Sequence, residues 1–188
     1  MKFSRLIAAA AVASTAVLSA PAFAAPVSDS FDINANVAET CTMEGINDIE
    51  LGTLSINTNA GSNALFLNGA SADNAGNFWL SCNDTNRMSI VPTNGKLVNQ
   101  DRSLQPGDDA GFKDTINYSV AALNYRSGLF ATQPAYNSLL GPLFQNQSRG
   151  AIHRQIDMGA AVTLLGNLDA RPLAGTYKDT VTVTVTII

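Results

Sequence analysis

The chain has 188 residues, and its 46% hydrophobic content is enough to give one domain its own core. Its formal net charge is −4, with no basic patch and no interleaving of aromatic and basic residues, which excludes nucleic acid as a natural partner. After the N-terminal region no apolar run reaches the about 20 residues of a spanning helix, so a membrane-embedded protein is excluded as well.

The chain opens with Lys2 and Arg5, runs apolar and small from Leu6 to Leu18, and then reads Ala22-Phe23-Ala24. A basic start, a short apolar stretch and an Ala-x-Ala site predict a secretory signal over residues 1–24, cleaved after Ala24. The stretch is too short and too rich in alanine for a membrane anchor. Loss of Lys2 and Arg5 leaves nine basic residues against fifteen acidic ones, a net charge of −6 for the mature chain 25–188.

Period two dominates the mature chain. Phe31, Ile33, Ala35 and Val37 alternate with Asp and Asn, which predicts a strand with one buried face. Cys41 and Cys82 are the two cysteines of an exported chain, so they are expected to form a structural disulfide. A redox or metal-binding pair would want a C-x-x-C spacing or nearby histidines, and the chain has one histidine, His153. Phe78, Leu80 and Cys82 share one side of a second predicted strand. Arg87–Val91 and Ile116–Val120 repeat the pattern more loosely. Clusters at Asn57–Asn63 and Gln105–Asp109 carry the Asn, Gly, Pro and Asp of turns. Ala160–Leu168 fits helix or strand, because short apolar runs suit either.

The C-terminal segment is the most regular. Tyr177, Val181, Val183, Val185 and Ile187 occupy odd positions, with Asp179 the one exception, while Thr180, Thr182, Thr184 and Thr186 alternate with them. Both sets favour strand, and the split predicts one buried and one wet face. Many short strands with regular turns predict an all-β antiparallel sandwich or barrel. A long one-faced strand at a sheet edge is a template for pairing with another chain, and nothing after Asp179 blunts it. Either this strand is central or something supplies its missing neighbour. Phe31–Val37 is a candidate donor, within its own chain or to another copy.

Four features together resemble the spore coat protein U-like domain family, which includes the major pilins of archaic (Csu-type) chaperone–usher pili. They are the alternating strand ending four residues before Thr40-Cys41-Thr42, the segment Leu51-Gly52-Thr53-Leu54, Leu80-Ser81-Cys82-Asn83, and the closing Gly175-Thr176-Tyr177-Lys178-Asp179 with its alternating valines. Asn124-Tyr125-Arg126-Ser127 looks like the family's tyrosine–arginine stretch, whereas Ala131–Gly150 matches no family pattern. The resemblance implies an incomplete immunoglobulin-like antiparallel β-sandwich, completed by donor-strand exchange. A periplasmic chaperone lends a strand, and an outer-membrane usher exchanges it for the N-terminal strand of the next subunit. By position, Phe31, Ile33, Ala35 and Val37 would be the donor residues. Tyr177, Val181, Val183, Val185 and Ile187 would line the acceptor groove. The implied organisation is a signal at 1–24, a donor segment and linker at 25–40, and a pilin domain at 41–188.

Other signals point to no chemistry. His153 lacks a nucleophile elbow or orienting partner in sequence and reads as an ordinary surface residue. Asp108-Asp109 lacks the ligand repeat of a calcium loop and reads as a solvated turn. Asn83-Asp84-Thr85, Asn117-Tyr118-Ser119 and Asn146-Gln147-Ser148 are acceptor triplets expected by chance in an Asn- and Ser-rich chain. Trp79 adjoins the Cys82 strand; a sugar-binding platform is one reading, and packing within the sandwich is the expected one. The reading is therefore a non-enzymatic, cofactor-free, metal-free shaft subunit. It is exported through the periplasm to a cell-surface fimbrium and joined head-to-tail to identical subunits. The alternatives are a non-polymerising secreted coat or matrix protein of the same family and a monomeric carbohydrate-binding module, the latter disfavoured by 7% aromatic content.

Overall fold

The computed structural model describes residues 27–126 and 132–188. The expected signal at 1–24 lies outside them, as do Ser127 and Ala131. The chain divides into two units, residues 1–36 and 37–188.

In the first unit, residues 27–36 carry no strand, and Phe31 and Ile33 are 84% and 86% exposed. The predicted strand over 31–37 is thus not formed in the single chain. A β-strand is held by ladder hydrogen bonds to a neighbour, and these residues enter no ladder.

Among its described residues the second unit is built of strands, turns and irregular segments. They are β1 (Cys41–Met43), β2 (Ser71–Cys82), β3 (Asn86–Pro92), β4 (Leu97–Asn99), β5 (Phe112–Lys113), β6 (Thr115–Ile116) and β7 (Ser119–Leu123). Then come β8 (Ala135–Asn137), β9 (Gly141–Leu143), β10 (Ser148–Arg149), β11 (Ile152–Val162), β12 (Arg171–Pro172), β13 (Tyr177–Lys178) and β14 (Val181–Ile187). A six-stranded sheet has the order β1-β2-β11-β7-β8-β9, and a three-stranded sheet the order β10-β3-β14. Two further small sheets are β13-β4-β6 and the parallel pair β12-β5. The architecture is an all-β, immunoglobulin-like sandwich. Strand continues through Val162, which settles the ambiguous run from Ala160, and turns come after it.

Alternation decides which side chains fill the core. On β2, Phe78, Leu80 and Cys82 are buried, and on β3, Asn86, Met88 and Ile90 are. Ile152, Ile156, Met158 and Val162 of β11 and Val120 and Ala122 of β7 join them. The register of β11 against β2 slips between Met158 and Ala160. Gly159 occupies that slip, where a Cβ would run into the Asn74 side chain. Tyr125, fully buried, donates to Asn86 Oδ1 at 2.8 Å. Asn86 in turn donates to the carbonyls of Asp84 and Gly150, so this buried polar link between β3 and the end of β7 is satisfied.

Cys41 and Cys82 face each other in the β1–β2 register and are disulfide-bonded, as expected. One expectation is corrected, and His153, exposed as expected, has neighbours that the sequence does not show. Trp79 does not fill packing space: β2 turns it to the outer face, 44% exposed, because Phe78 and Leu80 take the inward positions. His153, opposite Ser81 in the ladder, has partners there: its Nδ1 lies 2.7 Å from Ser81 Oγ and its ring 5.1 Å from that of Trp79.

Candidate functional site

Tyr177–Ile187 is legible as a single strand, but the chain breaks at Asp179–Thr180 and changes partner. Tyr177 and Lys178 pair with Asn99 and Val98 of β4, whereas β14 pairs with β3 from Val181↔Pro92 to Ile187↔Asn86. The break is held by Asp179, whose carboxylate accepts from the N–H groups of Asn94 and Thr180 and from the Tyr118 hydroxyl at 3.0 Å. This explains the one polar residue in the odd-numbered row: it faces inward to satisfy a turn and a buried phenol. Burial, and then the Asp179 charge, push the Tyr118 hydroxyl far above its ordinary value of 10. Burial also raises Tyr177, whose hydroxyl donates to Leu173 O at 2.8 Å.

Among the described residues β14 has one sheet neighbour, β3. Its other edge therefore presents unpaired backbone N–H and C=O groups. The predicted inward row is correctly oriented, since the odd residues are more buried than the threonines. It is only half-buried, however, whereas Met88 and Ile90 of adjacent β3 are wholly inaccessible. A core-facing row that stays half open beside an unpaired edge leaves room for a further strand.

Beside this edge lies an open cleft of about 1040 Å³. One wall is the irregular segment Ile46–Leu54, and the other runs from Thr176 to Val183. The floor includes Ile116, Tyr118 and Val120 from β6–β7 and Met158 and Ala160 from β11. Of the expected groove residues, Tyr177, Val181 and Val183 line this cleft. Val185 and Ile187 lie further along β14 and are outside the lining. The apolar side chains Ile46, Ile49, Leu51 and Leu54 supply a wall that alternation does not reveal, since the segment is not a strand. Only its Leu51-Gly52-Thr53-Leu54 part carries a signal, and Gly52 takes a φ of +67° that favours glycine. A cleft with a row of valines, an unpaired edge and an apolar floor can accept an extended peptide with alternate apolar side chains.

The expected donor residues are exposed: Phe31, Ile33 and Val37 are each more than four-fifths exposed, and Ala35 is exposed too. Residues 38–40 lead into β1 at the Cys82 end of β2, where Asn83 N donates to Thr40 O at 3.1 Å and Asn83 Nδ2 to Ala38 O at 2.8 Å. The floor residues Met158 and Ala160 pair instead with Gly76 and Asp73, six and nine residues back along β2. That separation is roughly 20–30 Å at strand rise.

A model of the Spore Coat Protein U domain matches residues 27–184 of the chain. No curated protein matches it significantly.

Proposed function

From the premise that this chain belongs to the Spore Coat Protein U domain family, we propose that it is a structural shaft subunit of an extracellular chaperone–usher pilus. In this reading Phe31, Ile33, Ala35 and Val37 are donated to the groove of a neighbouring copy. That groove comprises Tyr177, Val181 and Val183, and Val185 and Ile187 extend the same row. The export route passes through the periplasm, where a chaperone holds the groove until an outer-membrane usher makes the exchange. The single observation that carries the reading is the half-buried valine row of β14 beside an unpaired edge and an open apolar cleft.

Two quantities support it. Phe31–Val37 is seven residues long, about 23 Å when extended, and the wall Thr176–Val183 has eight residues. Burying Phe31, Ile33 and Val37 contributes on the order of 5–9 kcal/mol, at about 1.5–3 kcal/mol per large side chain. Donated to a second copy, the segment makes a head-to-tail contact. A head-to-tail contact of this kind propagates into a fibre.

Removing residues 25–37 from the mature chain tests the proposal. The truncated chain should fold only with a chaperone or with a supplied peptide spanning 25–37, and the full-length mature chain should form fibres. Full-length protein that stays monomeric when purified without a chaperone supports instead the non-polymerising coat or matrix protein, in which the segment pairs within its own chain.

A further inference from the structure

The outer face of the six-stranded sheet carries a second constellation that the groove does not use. Antiparallel register puts Thr42 opposite Ser81, and Ser81 opposite His153, so three polar side chains form one row across β1, β2 and β11. In the adjoining row Trp79 faces Gln155, and Glu44 N donates to the Trp79 carbonyl at 3.1 Å. The bond between Ser81 Oγ and His153 Nδ1, 2.7 Å, orients the imidazole, and its ring stands at 33° to the indole. Thr42, Met43, Glu44, Trp79, Ser81 and His153 together line a cleft of about 340 Å³. This lies within the ~300–1,000 Å³ span of small-ligand sites.

We propose that this cleft binds a neutral pyranose unit of a polysaccharide. The core does not need the indole, since Phe78, Leu80 and Cys82 already fill the inward positions of β2. An exposed aromatic plane offers an apolar surface to the C–H face of a sugar ring. Around it, the Thr42 and Ser81 hydroxyls both donate and accept, the Glu44 carboxylate accepts, and the second nitrogen of His153 is directed by the bond that the first one makes. That combination matches the rim of hydroxyls on a pyranose. Glu44 is the one acidic side chain in the cleft, within a chain of net charge −4, so sugars bearing carboxylates are rejected. A protein partner fits less well, because protein interfaces use wider apolar patches than the Trp79 ring and the Met43 side chain bordered here by polar groups.

Trp79 is the sole tryptophan of the chain, so its emission reports directly on the cleft. The full mature chain is titrated with maltohexaose, cellohexaose and chitohexaose, and with hexagalacturonate as the anionic counterpart. At least one neutral hexasaccharide should shift the emission saturably, and hexagalacturonate should not. By calorimetry, Trp79→Leu should weaken that binding by about tenfold or more, with Trp79→Phe between it and the native chain. Glu44→Gln removes the repelling charge and should let hexagalacturonate bind, while the neutral affinity falls several-fold because an amide oxygen accepts from sugar hydroxyls more weakly than a carboxylate. Circular dichroism verifies that each variant folds; should Trp79→Leu fail to fold, Trp79→Phe and Glu44→Gln carry the decision. The proposal is overturned if no neutral hexasaccharide moves the emission, if the folded Trp79→Leu chain binds as tightly as native, or if hexagalacturonate binds the native chain as well as the neutral sugars do.

Discussion

Asn83 holds Thr40 through two hydrogen bonds: its N–H donates to the Thr40 carbonyl at 3.1 Å, and its Oδ1 accepts from the Thr40 N–H at 2.7 Å. Its amide also donates to Ala38 O, and the Cys41–Cys82 bond lies one residue further along both segments. The base of the N-terminal segment is therefore pinned by one covalent link and three hydrogen bonds. Asn83→Ala removes the two that use the side chain. Because these bonds are solvent-exposed, the loss should be about 1 kcal/mol. Hydrogen exchange at the Thr40 amide should quicken while exchange in β2 and β11 is unchanged. Unaltered Thr40 exchange would show that the side chain does not hold the linker.

The disulfide closes a separation of 41 residues, which in the chain-entropy model stabilises the fold by roughly 4 kcal/mol. Cys82 is also part of the buried core, packed beside Leu80 and Ile152. Cys82→Ser should thus lower stability by about 2–5 kcal/mol in a denaturant titration, combining chain entropy with a hydroxyl placed in an apolar site. Thiol titration of denatured, unreduced native protein should find no free sulfhydryl, and two free thiols would refute the bridge.

Tyr118, Tyr125 and Tyr177 all hold their protons more firmly when folded than the ordinary value of 10, each chiefly through burial. Above about pH 10 the unfolded tyrosines release protons that the folded ones keep, so the unfolded state binds fewer. Stability then falls as pH rises. The contribution is complete below about pH 10 and is lost progressively above it. Tyr118→Phe should move alkaline unfolding to higher pH. At neutral pH it should cost about 1 kcal/mol for the lost hydrogen bond to Asp179, which retains its bonds from Asn94 and Thr180. Tyrosinate absorbance and circular dichroism should rise and collapse together. Tyrosinate forming near pH 10 in a still-folded chain would contradict the expected burial effect.

Much of the sandwich is legible in local alternation, because one inward face repeats every second residue. Phe78, Leu80 and Cys82, and the odd residues of β14, read correctly for that reason. Asp179 breaks the pattern, and its cause, the Tyr118 hydroxyl, is 61 residues away and has no local signature. The groove wall at Ile46–Leu54 has apolar residues spaced by three, two and three, which matches no period because the backbone there is irregular. Trp79 misleads in the other direction: its outward position is set by the Phe78 and Leu80 alternation, yet its size argues for burial. The alternation at Phe31–Val37 is plain, but a one-faced pattern states only that a face is to be covered, and the covering surface belongs to whatever pairs with it.

Ile33→Asp separates a polymer from a monomer. Under donation the aspartate would enter a neighbour's apolar cleft unpaired, at a cost of several kcal/mol per junction. The variant's own sandwich does not contain residue 33 in its core: Ile33 is 86% exposed and lies outside the 37–188 unit. A variant subunit should therefore fold, accept a native donor strand, and fail to supply its own. Mixed with native chains, it should shorten fibres in proportion to its share, as measured by electron microscopy. Alone, it should form no fibres but remain competent to bind a peptide spanning 25–37. A charge-neutral change of similar size, Ile33→Leu, should leave fibre length close to native, since burial of a comparable apolar side chain is preserved. If Ile33→Asp instead unfolds an isolated monomer, the side chain is buried within its own chain. If it leaves fibre length untouched, the segment is not the donor. Either result removes the donor-strand reading at the residue that matters most to it.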